Sequence, residues 1–349
     1  MNQIIYEDMQ YILGDTSIPW ERLYGKTVLI SGISGFLPAY MAEVLLYLNQ
    51  HKAANISVIG FVRNLGKART RFKDYLNDER FMLYQQDVNE IWHTNKPIHF
   101  IIHAASNASP LLYGKDPVGT LLPNVFGTKY LLDLGREKKV ESFLYFSSGA
   151  IYGKLPSESY SVDETYPGMV GTLAPRACYD ESKRMGETLC AAYHRQYEIP
   201  AKMVRIAHTY GPGVSLSDGR SFADFISDIL AGQDIVLNSD GSASRPFLYL
   251  ADAARAFFTV MLKGEAGEAY NVGYPQDITI RELAERLINM YPERHLKVRF
   301  AKESRAGYVP TKPDKRCLDV RKLMELGWSP RISVEEGFAR TIASFQMKQ

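Results

Sequence analysis

Tyr179 and Lys183 stand four residues apart in Cys178-Tyr179-Asp180-Glu181-Ser182-Lys183. On a helix, that spacing puts both side chains on one face, one turn apart. A phenol is a poor acid near neutrality, with an ordinary pKa of about 10. A nearby ammonium favours the phenolate and is expected to lower that value. A tyrosine tuned this way takes a proton from a hydroxyl, or returns one, near working pH. Taken alone, the pair is no more than an amphipathic helix that carries Tyr and Lys. The rest of the chain decides its meaning.

Ser142 to Phe146 reads as a strand, and Ser147-Ser148-Gly149-Ala150-Ile151-Tyr152-Gly153 follows it. In a parallel sheet, sites lie outside the carboxyl ends of strands. A hydroxyl at Ser148, beside that of Tyr179, would orient a substrate oxygen during proton transfer. Thr27 to Ser31 is a short apolar run that leads into Gly32-Ile33-Ser34-Gly35-Phe36-Leu37-Pro38 and then an apolar helical pattern through Leu48. Strand, glycine turn and helix form the setting of a dinucleotide fingerprint. Gly32 allows the tight turn. Gly35 lets backbone approach a pyrophosphate at the helix N-terminus, where free N–H groups favour an anion. Pro38 occupies the place usual for a third glycine, and a first helical turn tolerates it.

Ile56 to Val62 reads as the second strand and ends in Arg63-Asn64, with Lys67 close behind. A carboxylate there would grip the ribose of NAD, whereas a guanidinium suits a 2′-phosphate and tilts the expectation toward NADP. Phe81 to Gln86 is the third strand, ending in Asp87-Val88; Asp87 is placed to accept from an adenine amino group. His99 to Ala105 is the fourth, and its small Ala104-Ala105 end lets backbone pass close to a cofactor. His103 lies in an apolar run and is expected to be a satisfied core histidine. Asp116 to Glu137 reads as one long helix containing Asn124, which can bind backbone and hold a water near the cofactor. Ala201 to Ile206 is the sixth strand.

With 349 residues, 46% of them hydrophobic, the chain can bury a large core. A formal net charge of +2 gives no reason to expect nucleic acid or an anionic membrane as partner. The three cysteines, Cys178, Cys190 and Cys317, lack metal-type spacing and fit reduced thiols in the cytoplasm; no metal site is expected. The sequence shows no signal peptide and no apolar run long enough to span a bilayer. In the N-terminal stretch 1–25, Ile5, Met9, Ile12 and Leu13 form an apolar stripe stopped near Gly14, suited to packing on the main domain or on a partner subunit.

The glycine turn, the Ser-Ser-x-x-Ile-Tyr-Gly stretch and Tyr-x-x-x-Lys occur in the order and spacing of the extended short-chain dehydrogenase/reductases, which modify nucleotide sugars. The chain resembles that family from residue 25 onward. Pro175-Arg176-Ala177-Cys178-Tyr179-Asp180-Glu181-Ser182-Lys183-Arg184 is most similar to the UDP-glucuronate decarboxylase branch, as are Asp218-Gly219-Arg220 and Gly241-Ser242-Ala243-Ser244-Arg245. The resemblance implies an α/β fold: a doubly wound parallel Rossmann sheet with a smaller C-terminal substrate-binding lobe. The expected division is a Rossmann domain over 26–206, revisited around 246–262, and a lobe made of 207–245 and 263–349. It implies NAD or NADP as cofactor and a nucleotide-diphosphate sugar as substrate. It also implies a homodimer through the Tyr179 helix and the helix before it.

One departure bears on the chemistry. Decarboxylases and 4,6-dehydratases of the family carry an acid where this chain has Ala150, and dehydratases carry another where it has Gly149. Dehydration across C5 and C6 needs an acid and base beyond the tyrosine. Carbon dioxide loss from a β-keto acid does not. Ser148, Tyr179 and Lys183 suffice for hydride transfer at sugar C4, so a nucleotide-sugar 4-epimerase is the leading expectation. A decarboxylase-like or dehydratase-like lyase, a 4-keto-sugar reductase and a non-catalytic nucleotide-binding protein are the alternatives. The resemblance also implies substrate contacts. His208 replaces the family's Asn in Arg205-Ile206-Ala207-His208-Thr209-Tyr210-Gly211-Pro212 and can donate in its place. Arg220, Arg245 and Arg316 are bidentate partners for a diphosphate, Arg245 above all. Ser106 and Arg176 complete the set.

Overall fold

The structure, a computed structural model, describes residues 2–155, 161–217, 219–301 and 317–347. Helix α1 spans Gln3–Leu13, β1 Thr27–Ser31, α2 Phe36–Lys52, β2 Ser57–Val62, β3 Phe81–Gln85 and β4 Phe100–His103. Then come α3 (Thr128–Lys138), β5 (Ser142–Ser148), α4 (Ala177–Tyr197), β6 (Ala201–Ile206), α5 (Leu250–Lys263), β7 (Ala269–Val272) and α6 (Val334–Gln346). Seven strands form one sheet in the order β3-β2-β1-β4-β5-β6-β7, every pair parallel. All-parallel sheets are covered on both faces, which is why β1 is buried at every position and apolar at Val28, Leu29 and Ile30. Alternate residues serve opposite cores: Val28 and Ile30 pack with α2 and α5, Leu29 with α3 and α4.

From β1 the chain winds outward through β2 and β3, and from β4 it winds the other way. The crevice beyond the carboxyl ends of β1 and β4 is therefore the switch point at which doubly wound sheets bind ligands. Over the far half sits a small lobe. Helix Ser221–Ala231 lies in it, Val298–Phe300 pairs with Ile235–Leu237, and Ser244–Arg245 pairs antiparallel with Ile278–Thr279. Thr279 and Glu282 form a reciprocal capping box that starts helix Ile280–Asn289.

Three expectations change. The stretch 116–137 is not one helix. Asp116 caps Pro117–Leu122, a π-turn occupies Pro123–Gly127, and α3 resumes at Thr128. Pro123 has no N–H to continue the ladder. The lobe boundary also moves, because β7 lies within 263–349 yet pairs with β6 in the main sheet. The N-terminal stripe runs through Ile4, Asp8, Met9 and Ile12, with Ile5 and Leu13 only half-buried. Helix α1 packs on the main body against α2, α5 and α6. Its buried carboxylate is satisfied there: Asp8 accepts from the hydroxyls of Tyr40 and Tyr249, and from Arg340 Nη2 at 2.7 Å.

Candidate active site

A cleft of about 730 Å³ opens along the carboxyl edge of the sheet, under the lobe. Its floor begins at the glycine turn. Gly32 has φ +67°, and a Cβ on it would lie 2.8 Å from Ala105 Cα, so β1 and β4 meet there only through glycine. Helix α2 then starts at Gly35 with no side-chain cap, leaving first-turn N–H groups for a ligand. Ser106 Oγ is buried without a protein partner. A backbone cradle, an uncapped helix start and a spare hydroxyl fit a dinucleotide pyrophosphate and its riboses.

Ser31 and His103 lock this floor. Ser31 Oγ accepts from the Ala104 and Ala105 N–H groups, at 3.1 Å each, and so donates to His103 Nδ1 at 2.8 Å. His103 Nε2 must then carry the proton, which it gives to Pro123 O and Thr128 Oγ1. Burial holds this imidazole neutral, its pKa pushed down to about 3. His103 is a core histidine, as its apolar surroundings imply.

The chemical end lies where β5 and α4 converge. Ser148, Tyr179 and Lys183 all line the cleft. Ser148 Oγ accepts from Ala150 N at 3.1 Å and bonds the Tyr179 hydroxyl. Lys183 Nζ donates to Phe146 O at 2.6 Å and lies 5.9 Å from the Tyr179 ring centre. The expected tuning of the phenol is overturned. Burial raises the Tyr179 pKa, and what opposes burial is the Ser148 hydrogen bond with the Arg220 and Arg176 guanidiniums. Lys183 is itself 3% exposed, and burial pushes its ammonium down to about 7, with only Glu187 resisting. A lysine that titrates near neutrality is a weak source of positive field. Glu187 in turn is held by Ser147 Oγ and by a two-pronged pair with Arg205, so the carboxylate stays on α4 beneath the site.

The structure gathers most of the sequence-derived residues into this one cleft. Gly32, Ser34, Gly35, Phe36, Leu37, Arg63, Asn64, Asp87, Val88, Ala104, Ala105, Ser106, Arg176, His208 and Arg220 all line it. Asn124 does not. It is fully buried and donates to Thr120 O and, at 2.9 Å, to Ser182 Oγ, so it braces α4 beside Lys183. Arg245 is also buried away from the cleft lining, its Nη1 on Ser244 O at 2.6 Å. Arg316 lies outside the described residues. Sequence reasoning missed Tyr113, whose ring stacks on Tyr179 at 4.8 Å under the Arg176 guanidinium. It also missed Leu318, which sits over Gly149. Tyr113 reaches the site from the short helix Pro110–Lys115 and Leu318 from the short strand Cys317–Leu318, neither of which carries a motif. Near Ser148 and Tyr179 the wall is apolar or cationic. Asp87, at the β3 end, is the one carboxylate among the described lining residues. Those residues contain no cluster suited to a metal and no helix long and apolar enough to cross a membrane.

A switch-point cleft with a dinucleotide cradle and a Ser-Tyr-Lys set defines a nicotinamide-dependent enzyme of the short-chain dehydrogenase/reductase class. The family model of the NAD dependent epimerase/dehydratase family matches residues 28–273, and the chain belongs to that family. It is 31% identical to UDP-glucuronic acid decarboxylase 1 of Danio rerio, over 92% of this chain and 72% of that protein. Among solved structures it is similar to dTDP-glucose 4,6-dehydratase of Streptomyces venezuelae with NAD bound (TM-score 0.77, 25% identity, 92% and 97% covered). It shares its fold with UDP-glucuronic acid 4-epimerase of Bacillus cereus in complex with UDP-glucuronic acid and NAD (TM-score 0.76, 23% identity, 93% and 100% covered).

Proposed function

We propose that this enzyme epimerises a nucleotide-diphosphate sugar at C4. The observation that carries this reading is that, among the described residues, no carboxylate lines the cleft at Ser148 and Tyr179, where Gly149 and Ala150 stand. Removal of water across C5 and C6 requires such a group; hydride chemistry at C4 does not. The nicotinamide cofactor, NAD or NADP, supplies the hydride acceptor and donor. Tyr179 takes the C4 hydroxyl proton and returns it. Ser148 holds that hydroxyl against the phenol oxygen. Arg220 and Arg176 supply the positive field that eases loss of the phenol proton. The cationic lining made by Arg63, Lys67, Arg176 and Arg220 attracts a diphosphate-bearing ligand.

The relatives favour a second reading, decarboxylation of UDP-glucuronate, in which the 4-keto acid loses carbon dioxide without a base. Incubation with UDP-, dTDP-, GDP- and CDP-sugars, followed by NMR of the products, separates the two. C4 inversion with no gas release supports the proposal. Carbon dioxide from UDP-glucuronate supports the second reading. No turnover of any sugar, with or without added cofactor, overturns both. In the same reading the protein works in the cytoplasm as a homodimer, with Phe126 and Met185, both exposed, on the face that pairs. Sedimentation equilibrium tests the dimer.

A further inference from the structure

Burial is the largest influence on the Tyr179 phenol, and part of that burial comes from a side chain outside the Ser-Tyr-Lys set. Tyr113 stands on the short helix Pro110–Lys115, which follows β4. Its ring lies on the Tyr179 ring with centres 4.8 Å and planes 18° apart, the geometry of an aromatic stack. Tyr113 is 5% exposed and Tyr179 7%, so the two rings form one dry pair in the cleft wall.

Tyr113 is held on several sides. Its hydroxyl donates to Ala108 O at 2.9 Å. Its own carbonyl accepts from the Cys178 thiol at 3.7 Å, which ties the short helix to the first turn of α4. The Arg176 guanidinium lies over its ring, 5.5 Å from the centre. Ala108 O also accepts from Arg220 Nη2 at 3.4 Å, so one oxygen joins Tyr113 to the lobe. The charged and titratable groups that face Tyr179 are Arg176, Asp180 and Lys183 from α4 and its start, Tyr113 from the short helix, Tyr145 from β5 and Arg220 from the lobe. Among these, Tyr113 alone lies flat on the phenol ring. Burial also pushes the Tyr113 phenol well above its ordinary value, so Tyr113 stays neutral and serves as a wall, not as a base.

We propose that Tyr113 is a positioning residue for Tyr179: its ring walls one face of that phenol, keeps water off it and holds its hydroxyl on Ser148. This rests on the reading of Tyr179 as the group that moves the C4 proton, and on no particular sugar. Charges act more strongly where water is excluded, so the same wall strengthens the hold of Arg176 and Arg220 on the phenol. The test is ultraviolet titration of the phenols in the full-length protein. Subtracting the Tyr179→Phe curve from the wild-type curve isolates Tyr179, and the same subtraction is made on Tyr113→Leu and Tyr113→Phe backgrounds. Tyr113→Leu removes the flat wall and is expected to lower the Tyr179 midpoint by about one pH unit, because burial is what holds it up. Tyr113→Phe keeps the ring and is expected to leave the midpoint within about 0.3 unit. With a sugar that turns over, the rising limb of kcat/KM should move to lower pH in Tyr113→Leu; a merely loosened fold would lower kcat at every pH and leave the limb in place. A midpoint unchanged or raised in Tyr113→Leu overturns the proposal. So does a fall of about one unit in Tyr113→Phe, which would assign the effect to the Tyr113 hydroxyl, and this arm decides even where Tyr113→Leu does not fold. No turnover of any sugar overturns the C4 reading and leaves the titration to decide the role of Tyr113.

Discussion

Tyr179 is harder to ionise in the protein than in water, because the slot that holds it is dry. The groups that offset this are the Ser148 hydroxyl and the guanidiniums of Arg220 and Arg176, not the lysine one turn along. Arg220→Gln is therefore expected to move the rising limb of the kcat/KM pH profile to higher pH, since a base must lose its proton before it can act. Tyr179→Phe should lower kcat by about 10²–10⁴-fold while dinucleotide binding persists. Lys183 and Lys202 also set the pH dependence of stability. Their folded pKa values, pushed by burial to about 7 and about 8, lie below the 10.5 of an exposed lysine. Between those limits the unfolded chain binds more protons than the folded one, so stability rises with pH. The penalty is complete below about pH 7 and lifts above it. The melting temperature of the cofactor-free protein should climb from about pH 7 to 8.5, and Lys183→Met should flatten that climb.

At the scale of elements, α4 fixes the chemistry and Gly186 fixes α4. A Cβ at Gly186 would overlap the Tyr145 hydroxyl of β5. Alanine there would ordinarily favour a helix interior. Here it must push α4 off the sheet, at a cost of about 1–3 kcal/mol. Urea unfolding of Gly186→Ala should show that loss, and the displaced Tyr179 and Lys183 should lower kcat with it. Much of this level was legible in the sequence. The strands that flank the cleft are short apolar runs ended by Gly, Ser or small residues, and β1 and β6 fall on the residues expected. A strand buried on both faces has no other pattern to show. The break at Pro123 was not read, because the apolar spacing continues through it. Asn124 and Arg245 are both buried and are not among the described lining residues, a placement set by the packing of α4 and of the lobe that no motif shows.

At the scale of the whole molecule, the N-terminal stretch is a staple. Asp15 pairs with Arg255 through Nε at 2.7 Å, and Arg255 Nη1 reaches Asp252 at 2.8 Å, all three fully or almost fully buried. Asp8 does the same for Tyr40, Tyr249 and Arg340. Nothing in the sequence announces that Asp8 in the helix and Asp15 just beyond it are interior, because partners such as Tyr249, Arg255 and Arg340 lie more than 200 residues away. Removing one member of a buried pair strands the other, so Arg255→Leu should cost about 3–5 kcal/mol in urea unfolding. Deletion of residues 1–24 should lower the melting temperature by more than that single change does. In the proposed reaction the fold, the cradle and the lobe serve one event: proton removal from a sugar C4 hydroxyl by Tyr179 as hydride leaves the same carbon. A nucleotide sugar carrying deuterium at C4 tests it, with product recovery and cofactor isotope analysis after a single turnover. Deuterium found transiently on the cofactor and then on the inverted C4, with both signals lost in Tyr179→Phe, is the expected result. Turnover that leaves the C4 deuterium in place throughout, or that survives Tyr179→Phe undiminished, would contradict the account.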